Sequence, residues 1–150
     1  MINPTGNLKA FACVCGGEEA PHVSGAVKFY ETQGGVLVMA DIHGLPQKDG
    51  VYGFHIHEGT DCGGDAFSDT KNHFNPKGKE HPYHTGDLPP LFSCGGRAYM
   101  TVLTGRFCVD DVIGRTVVIH AHPDDFHSQP SGDSGMKIAC GVIRHCGRHK

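Results

Sequence analysis

The apolar positions of the chain come in short runs rich in Val, Ile, Phe and Tyr, closed off by Gly, Pro and Asp. Runs of this kind between turn residues are strand signals, because β-branched and aromatic side chains fit a pleated, half-buried surface. They predict strands near residues 8–15, 24–32, 35–43 and 51–57, and, after a long gap, near 95–103, 105–110, 115–120 and 138–144. Val27-Lys28-Phe29-Tyr30-Glu31-Thr32, then Gln33-Gly34-Gly35, then Val36-Leu37-Val38-Met39-Ala40 reads as a hairpin around a glycine-bearing turn. No stretch carries the repeat of an amphipathic helix. Asp110-Asp111-Val112-Ile113-Gly114 makes one turn at most. Eight short strands separated by turn signals predict an all-β sandwich or barrel.

Two segments break the pattern, at 58–93 and 121–137. A long structureless loop counts against a compact domain unless something else orders it. Histidines concentrate in these segments, and a bound metal would stand in for the missing hydrophobic core.

Composition strengthens that reading. The chain has 12 His, 7 Cys and 22 Gly, and histidine is the commonest metal ligand among side chains. Its 150 residues make one domain, with a core over about 8–144 and a tail at 145–150. A formal charge of −3 excludes generic binding to a nucleic-acid backbone. No run reaches the roughly 18 apolar residues of a membrane span, so no membrane partner is expected. Met1-Ile2-Asn3-Pro4-Thr5-Gly6-Asn7-Leu8-Lys9 lacks the apolar and charged regions of a secretory leader, which predicts a cytoplasmic address. Disulfides are uncommon there. An odd number of cysteines leaves at least one thiol free or paired between molecules.

The candidate chemistry begins at Gly53-Phe54-His55-Ile56-His57-Glu58. Residues i and i+2 of a strand face the same way, so His55 and His57 are spaced to share a metal. Taken alone, the pair fits two surface histidines equally well. His73, His81, His84 and Asp87 follow in the long loop, and three imidazoles with a carboxylate suit a tetrahedral zinc site. His120 and His122 again have strand spacing; spacing does not choose which of them joins His55 and His57.

With these motifs in hand, the chain resembles the copper–zinc superoxide dismutase family. The matching segments are 53–58, 73–76, 84–87, 120–125 and 132–143, and the likeness runs from about residue 8 to 143. His81-Pro82-Tyr83-His84 and Gln129-Pro130-Ser131-Gly132 look closer to bacterial members. The resemblance implies an eight-stranded antiparallel Greek-key barrel with two long functional loops. It implies an enzyme that dismutates superoxide to dioxygen and hydrogen peroxide with a copper ion and a zinc ion. Copper would take His55, His57, His73 and His120; zinc would take His73, His81, His84 and Asp87. His73 would bridge the two. The family pattern prefers His120 over His122. Asp124 falls where members carry a carboxylate linking a copper histidine to a zinc histidine, here His55 and His81. Cys62 and Cys140 fall at the family's disulfide. A homodimer is one assembly the resemblance allows.

The chain departs from the family at Lys137, where members usually carry an arginine that docks the superoxide anion. Lysine keeps the charge and loses the planar fork. The 121–136 loop contains Asp124, Asp125, Asp133, His122 and His127 and no Lys or Arg, so long-range steering is expected to be weak. Ser131 falls where members place a small hydroxyl along the channel. The loss of the arginine is the one feature that favours an alternative from another class, a metal-binding or copper-delivery module with low turnover; the complete ligand set argues against it. Cys13, Cys15, Cys94, Cys108 and Cys146 have no place in the shared pattern and are read as buried or terminal thiols.

Overall fold

The computed structural model describes residues 7–147. Residues 1–6 and 148–150, which include most of the segment read for a leader and the end of the tail, lie outside it. The strands are β1 (Leu8–Gly16), β2 (Ser24–Thr32), β3 (Gly35–His43), β4 (Val51–Tyr52), β5 (Phe54–His57), β6 (Leu91–Phe92), β7 (Ala98–Thr104), β8 (Thr116–His120) and β9 (Lys137–His145). A 3-10 segment covers Asp65–Thr70, and a one-turn helix, α1, covers Val109–Val112. Seven strands form one curled antiparallel sheet in the order β5-β8-β9-β1-β2-β3-β7. β4 and β6 make a separate two-stranded sheet. The fold is the expected all-β one. No helix among the described residues is long and apolar enough to cross a membrane.

Alternation builds the core. Ala10, Ala12 and Val14 of β1, Val27 and Phe29 of β2, and Val36, Val38, Ala40 and Ile42 of β3 all turn inward and are buried. Glycine closes the β2–β3 hairpin: Gly35 has φ +136°, and a Cβ there would lie 2.5 Å from the Thr104 carbonyl oxygen.

Three expectations need correction. The run at 51–57 is split at Gly53 into β4 and β5, which join different sheets. The strand at 95–103 starts at Ala98, because Gly95 and Gly96 have φ of 60° and 81° and form a turn closed between Cys94 and Arg97. No strand forms at 105–110. Phe107 and Val109 suggest alternation in the sequence, but Val109 and Val112 are buried three residues apart, a helical spacing. The Asp111 carboxylate accepts from the Cys108 amide at 2.8 Å and caps the single turn that replaces the strand.

β8 is buried along its whole length. Phe54, Ile56, Val117 and Ile119 join the apolar core. The opposite face of the same two strands carries His55, His57 and His120, and the two long loops cover it. Cys62 and Cys140 are disulfide-bonded, Cα–Cα 5.8 Å, which ties the first of these loops to β9.

Candidate metal centre

β5 is an edge strand, and the loop that follows it occupies its open edge. Phe74 N donates to Ile56 O at 2.8 Å, and Ile56 N donates to Gly86 O at 2.8 Å. This pairing sets His73 across from His57 and Asp87 across from His55. The second loop returns through Ala121 N to Met136 O and His122 N to Ser134 O, both 2.9 Å. Loop residues distant in sequence therefore meet two strand histidines by backbone pairing.

His55, His57, His73 and His120 are all buried and offer donor atoms within 4.8 Å of one another. Hydrogen bonding fixes which nitrogens face inward. His57 Nδ1 donates to Lys71 O at 2.9 Å and His120 Nδ1 donates to Gly135 O at 3.0 Å. A carbonyl only accepts, so in each neutral ring Nε2 is a bare lone pair. These two lone pairs stand 3.1 Å apart. Two acceptors at that distance repel unless a cation lies between them. His55 follows the same logic: its Nε2 donates to Asp124 Oδ2 at 2.7 Å, leaving Nδ1 bare, buried and without a hydrogen-bond partner. His73 Nε2 is likewise buried without a partner.

A second group forms beside it. His55, His73, His81 and Asp87 lie within the same 4.8 Å limit. His84 belongs there by distance too, its Nδ1 3.2 Å from His73 Nδ1 and 3.2 Å from Asp87 Oδ2. His55 has its inward nitrogen in the first group, so His84 is the better fourth donor. His81 Nε2 donates to Asp124 Oδ1 at 2.7 Å, and its bare Nδ1 stands 3.0 Å from Asp87 Oδ2. Here too a lone pair faces a carboxylate with no proton to share.

Burial sets the protonation of the rings. It pushes His55 down to about 4 and His120 to about 3, and holds His57 far below the usual imidazole range. His84 is lowered for the same reason. For Asp124, burial acts to raise the pKa, but the hydrogen bonds from His55 and His81 outweigh it and keep the carboxyl ionised. For Asp87 too burial acts to raise the pKa, and the bond from His73 together with the charge interactions with His73, His81 and His84 brings it down. His55, His57, His84 and His120 are therefore neutral and Asp87 and Asp124 ionised, the forms that bind metal.

The structure brings His55, His57, His73, His81, His84, Asp87 and His120 together, while the His122 ring lies over Gly135 and Cys62 and Cys140 lie at the loop tie to β9. Asp124 accepts from both His55 and His81. Gly132 lets it do so: a Cβ at that position would come within 2.0 Å of the Asp124 carboxylate. A cleft of about 500 Å³ opens at the first group, lined among others by His57, His73, His120, Lys71, Ser131 and Lys137. Lys137 Nζ donates to Thr70 Oγ1 at 2.7 Å and to Lys71 O at 2.9 Å. Burial lowers its pKa, and one of its three N–H groups is left for a ligand in the cleft.

Thr70 and the Lys71 and Gly135 carbonyls escape a reading of the sequence, since backbone acceptors leave no residue-type signal. Gln129 escapes it as well; its side-chain amide bonds both backbone groups of His81. The extra cysteines correct an expectation. Cys13, Cys15, Cys94 and Cys108 are exposed, and the partly exposed Cys146 alone is terminal. Cys13 and Cys15 take the outward positions of β1, alternating with Ala12 and Val14.

The family model described as copper/zinc superoxide dismutase (SODC) matches residues 23–143. The chain belongs to that family. Copper and zinc are the cofactors that membership brings, and the two donor groups suit them. The chain is 36% identical to superoxide dismutase [Cu-Zn] 2 of Aquifex aeolicus, over 81% of this chain and 80% of that protein. It is 36% identical to superoxide dismutase [Cu-Zn] of Legionella pneumophila, over 83% of this chain and 80% of that protein. Among solved structures it is similar to the clock protein EA4, with a TM-score of 0.79, 32% identity, and coverage of 96% of this chain and 98% of that one. A double mutant of a SOD-like protein from Bacillus subtilis matches with a TM-score of 0.76 and 27% identity, over 89% and 96% of the two chains.

Proposed function

We infer that the chain is a superoxide dismutase, with copper held by His55, His57, His73 and His120, and zinc held by His73, His81, His84 and Asp87. The observation that carries this reading is the set of inward, unprotonated nitrogens, above all His57 Nε2 and His120 Nε2 facing each other at 3.1 Å. An all-imidazole group suits copper, and a group of imidazoles with one carboxylate suits zinc. Copper supplies the one-electron exchange that dismutation needs, while zinc, which has no redox chemistry, orders the loop.

The chain's own residues do the rest. Lys137 draws the anion into the cleft and offers it a hydrogen bond, while Thr70 and Lys71 O fix where that ammonium sits. His73 has one nitrogen toward each group, so it holds its place through Nδ1 while Nε2 accepts and returns a proton. Asp124 keeps His55 and His81 in the tautomer that turns Nδ1 inward. Lys71 O and Gly135 O do the same for His57 and His120 with Nε2 inward.

The test is to load the full chain with both metals, count them on the same sample, and follow superoxide decay. One copper and one zinc per chain with fast turnover is the expected result. Full loading of both metals without acceleration of superoxide decay overturns it in favour of metal handling alone.

A further inference from the structure

β1 places a free thiol beside the disulfide that anchors the first active-site loop. Cys15 of β1 is the direct cross-strand partner of Cys140 of β9. Opposed residues of an antiparallel pair project to the same side of the sheet, with Cα atoms about 4.5–5.5 Å apart. That separation lies within the range, roughly 4.4–6.8 Å, that a disulfide spans. Cys140 is bonded to Cys62, and Cys15 is free and exposed. Cys140 is buried, whereas Cys62 is half-exposed and lines a cavity of about 260 Å³ with Gly17, two residues after Cys15. The β1–β9 register thus sets the Cys15 side chain next to the bonded Cys140.

We propose that Cys15 is a thiol–disulfide exchange site for the Cys62–Cys140 bond. The Cys15 thiol gives up its proton, and the thiolate attacks Cys140 Sγ. A Cys15–Cys140 bond forms, the Cys62–Cys140 bond breaks, and Cys62 leaves as a thiolate that takes up a proton. One disulfide and one thiol exist before and after, so no outside oxidant or reductant is consumed.

The exchange alters the metal centre through the loop it releases. Cys62 is the loop's covalent tie to β9. The same loop supplies Thr70 Oγ1 to Lys137 and the Lys71 carbonyl to both Lys137 and His57. After exchange the nearby loop keeps only noncovalent ties to the barrel, such as Arg115 Nη1 to Glu58 O at 2.7 Å and Thr116 Oγ1 to Gly59 O at 3.1 Å. The new bond joins two strands already paired, so it stays within the sheet and gives the loop nothing in return.

Peptide mapping reads the sulfur bonds whether or not the protein turns over superoxide. The full chain, metal-loaded and metal-free, is held at about pH 8.5 without added thiol, quenched in acid, alkylated and digested. We expect a Cys15–Cys140 linkage with alkylated Cys62 in at least about one molecule in ten of the metal-free chain. We expect it also in Cys13→Ser and in no molecule of Cys15→Ser. Limited proteolysis within 58–72 should run several-fold faster in the native metal-free chain than in Cys15→Ser. A native chain that shows only the Cys62–Cys140 bond, with Cys15 fully alkylated after a day, overturns the proposal. So does a linkage that persists in Cys15→Ser through Cys13.

Discussion

The two ends of the large sheet are held together by different forces. At the β1–β3 end, Val27, Phe29, Val38 and Ile42 are fully buried and meet other apolar side chains. At the β5–β8 end, one face meets that same core and the other carries buried histidines under two loops. The first region is stable because area is removed from water, which needs no particular partner. The second leaves lone pairs facing lone pairs, an arrangement that costs free energy until a cation is present. Hydrophobic burial shapes the barrel, and on the proposed assignment coordination would complete the loops.

The sharpest way to break the comparison is His73→Ala, which removes the side chain with a nitrogen in each group. Dismutation should fall to the level of free solution while the strands of β1–β3 keep their hydrogen-exchange protection. Loss of protection throughout the sheet would show the two regions to be one cooperative unit. Phe29→Ala probes the opposite end. It should cost about 3–5 kcal/mol in denaturant unfolding, as large-to-small changes in a core do, with metal content unchanged. Asp124→Asn should weaken zinc binding about 10–100-fold, the usual effect of removing a carboxylate behind a metal histidine. Competition with a chelator measures it, and unaltered affinity would mean that the loops alone orient the rings.

The pH dependence of the metal-free chain is a smaller effect with a definite sign. Folding lowers His55 to about 4 and His120 to about 3, against about 6.5 in an unfolded chain. The unfolded state then binds more protons than the folded one below pH 6.5. Stability present above about pH 6.5 is therefore lost progressively toward pH 4 and 3. A melting temperature that stays level from pH 7 to 4.5 contradicts this. Smallest is Lys137→Arg, expected to raise catalytic efficiency a few-fold, since a planar fork keeps donors for the anion after meeting Thr70 and Lys71 O. Equal efficiency of the two proteins at one ionic strength would remove lysine's distinct role.

How much of this was legible in the sequence follows the same division. Short apolar runs closed by turn residues located β1, β2, β3, β8 and β9 to within a residue or two, because each has a face turned to the core. This signal failed at 105–110, where two apolar residues are too few to separate a strand from one helical turn. It failed at β6 as well, a two-residue strand inside a segment that carries no period. At the metal centre, side chains were readable and backbone was not. Histidine spacing and family resemblance brought forward His55, His57, His73, His81, His84, Asp87, His120 and Asp124. Nothing in residue type announces that Lys71 O would receive both His57 and Lys137. Nor does composition reveal that four of the extra cysteines point to solvent, since an outward strand position and a buried one are a single residue apart.

The carboxylate of Asp124 has a consequence for how the centre fills. One oxygen holds His55 and the other holds His81, so a single rigid group sets the aim of a donor in each cluster. His73 belongs to both clusters. On the proposed assignment, an ion that settles in one cluster would prepare the geometry of the other. Thermodynamic reciprocity then applies: whatever factor the first ion contributes to the affinity of the second is returned to it in full. Occupancy of the two sites is a joint property, and the order of loading changes the path to the filled centre without changing its final stability.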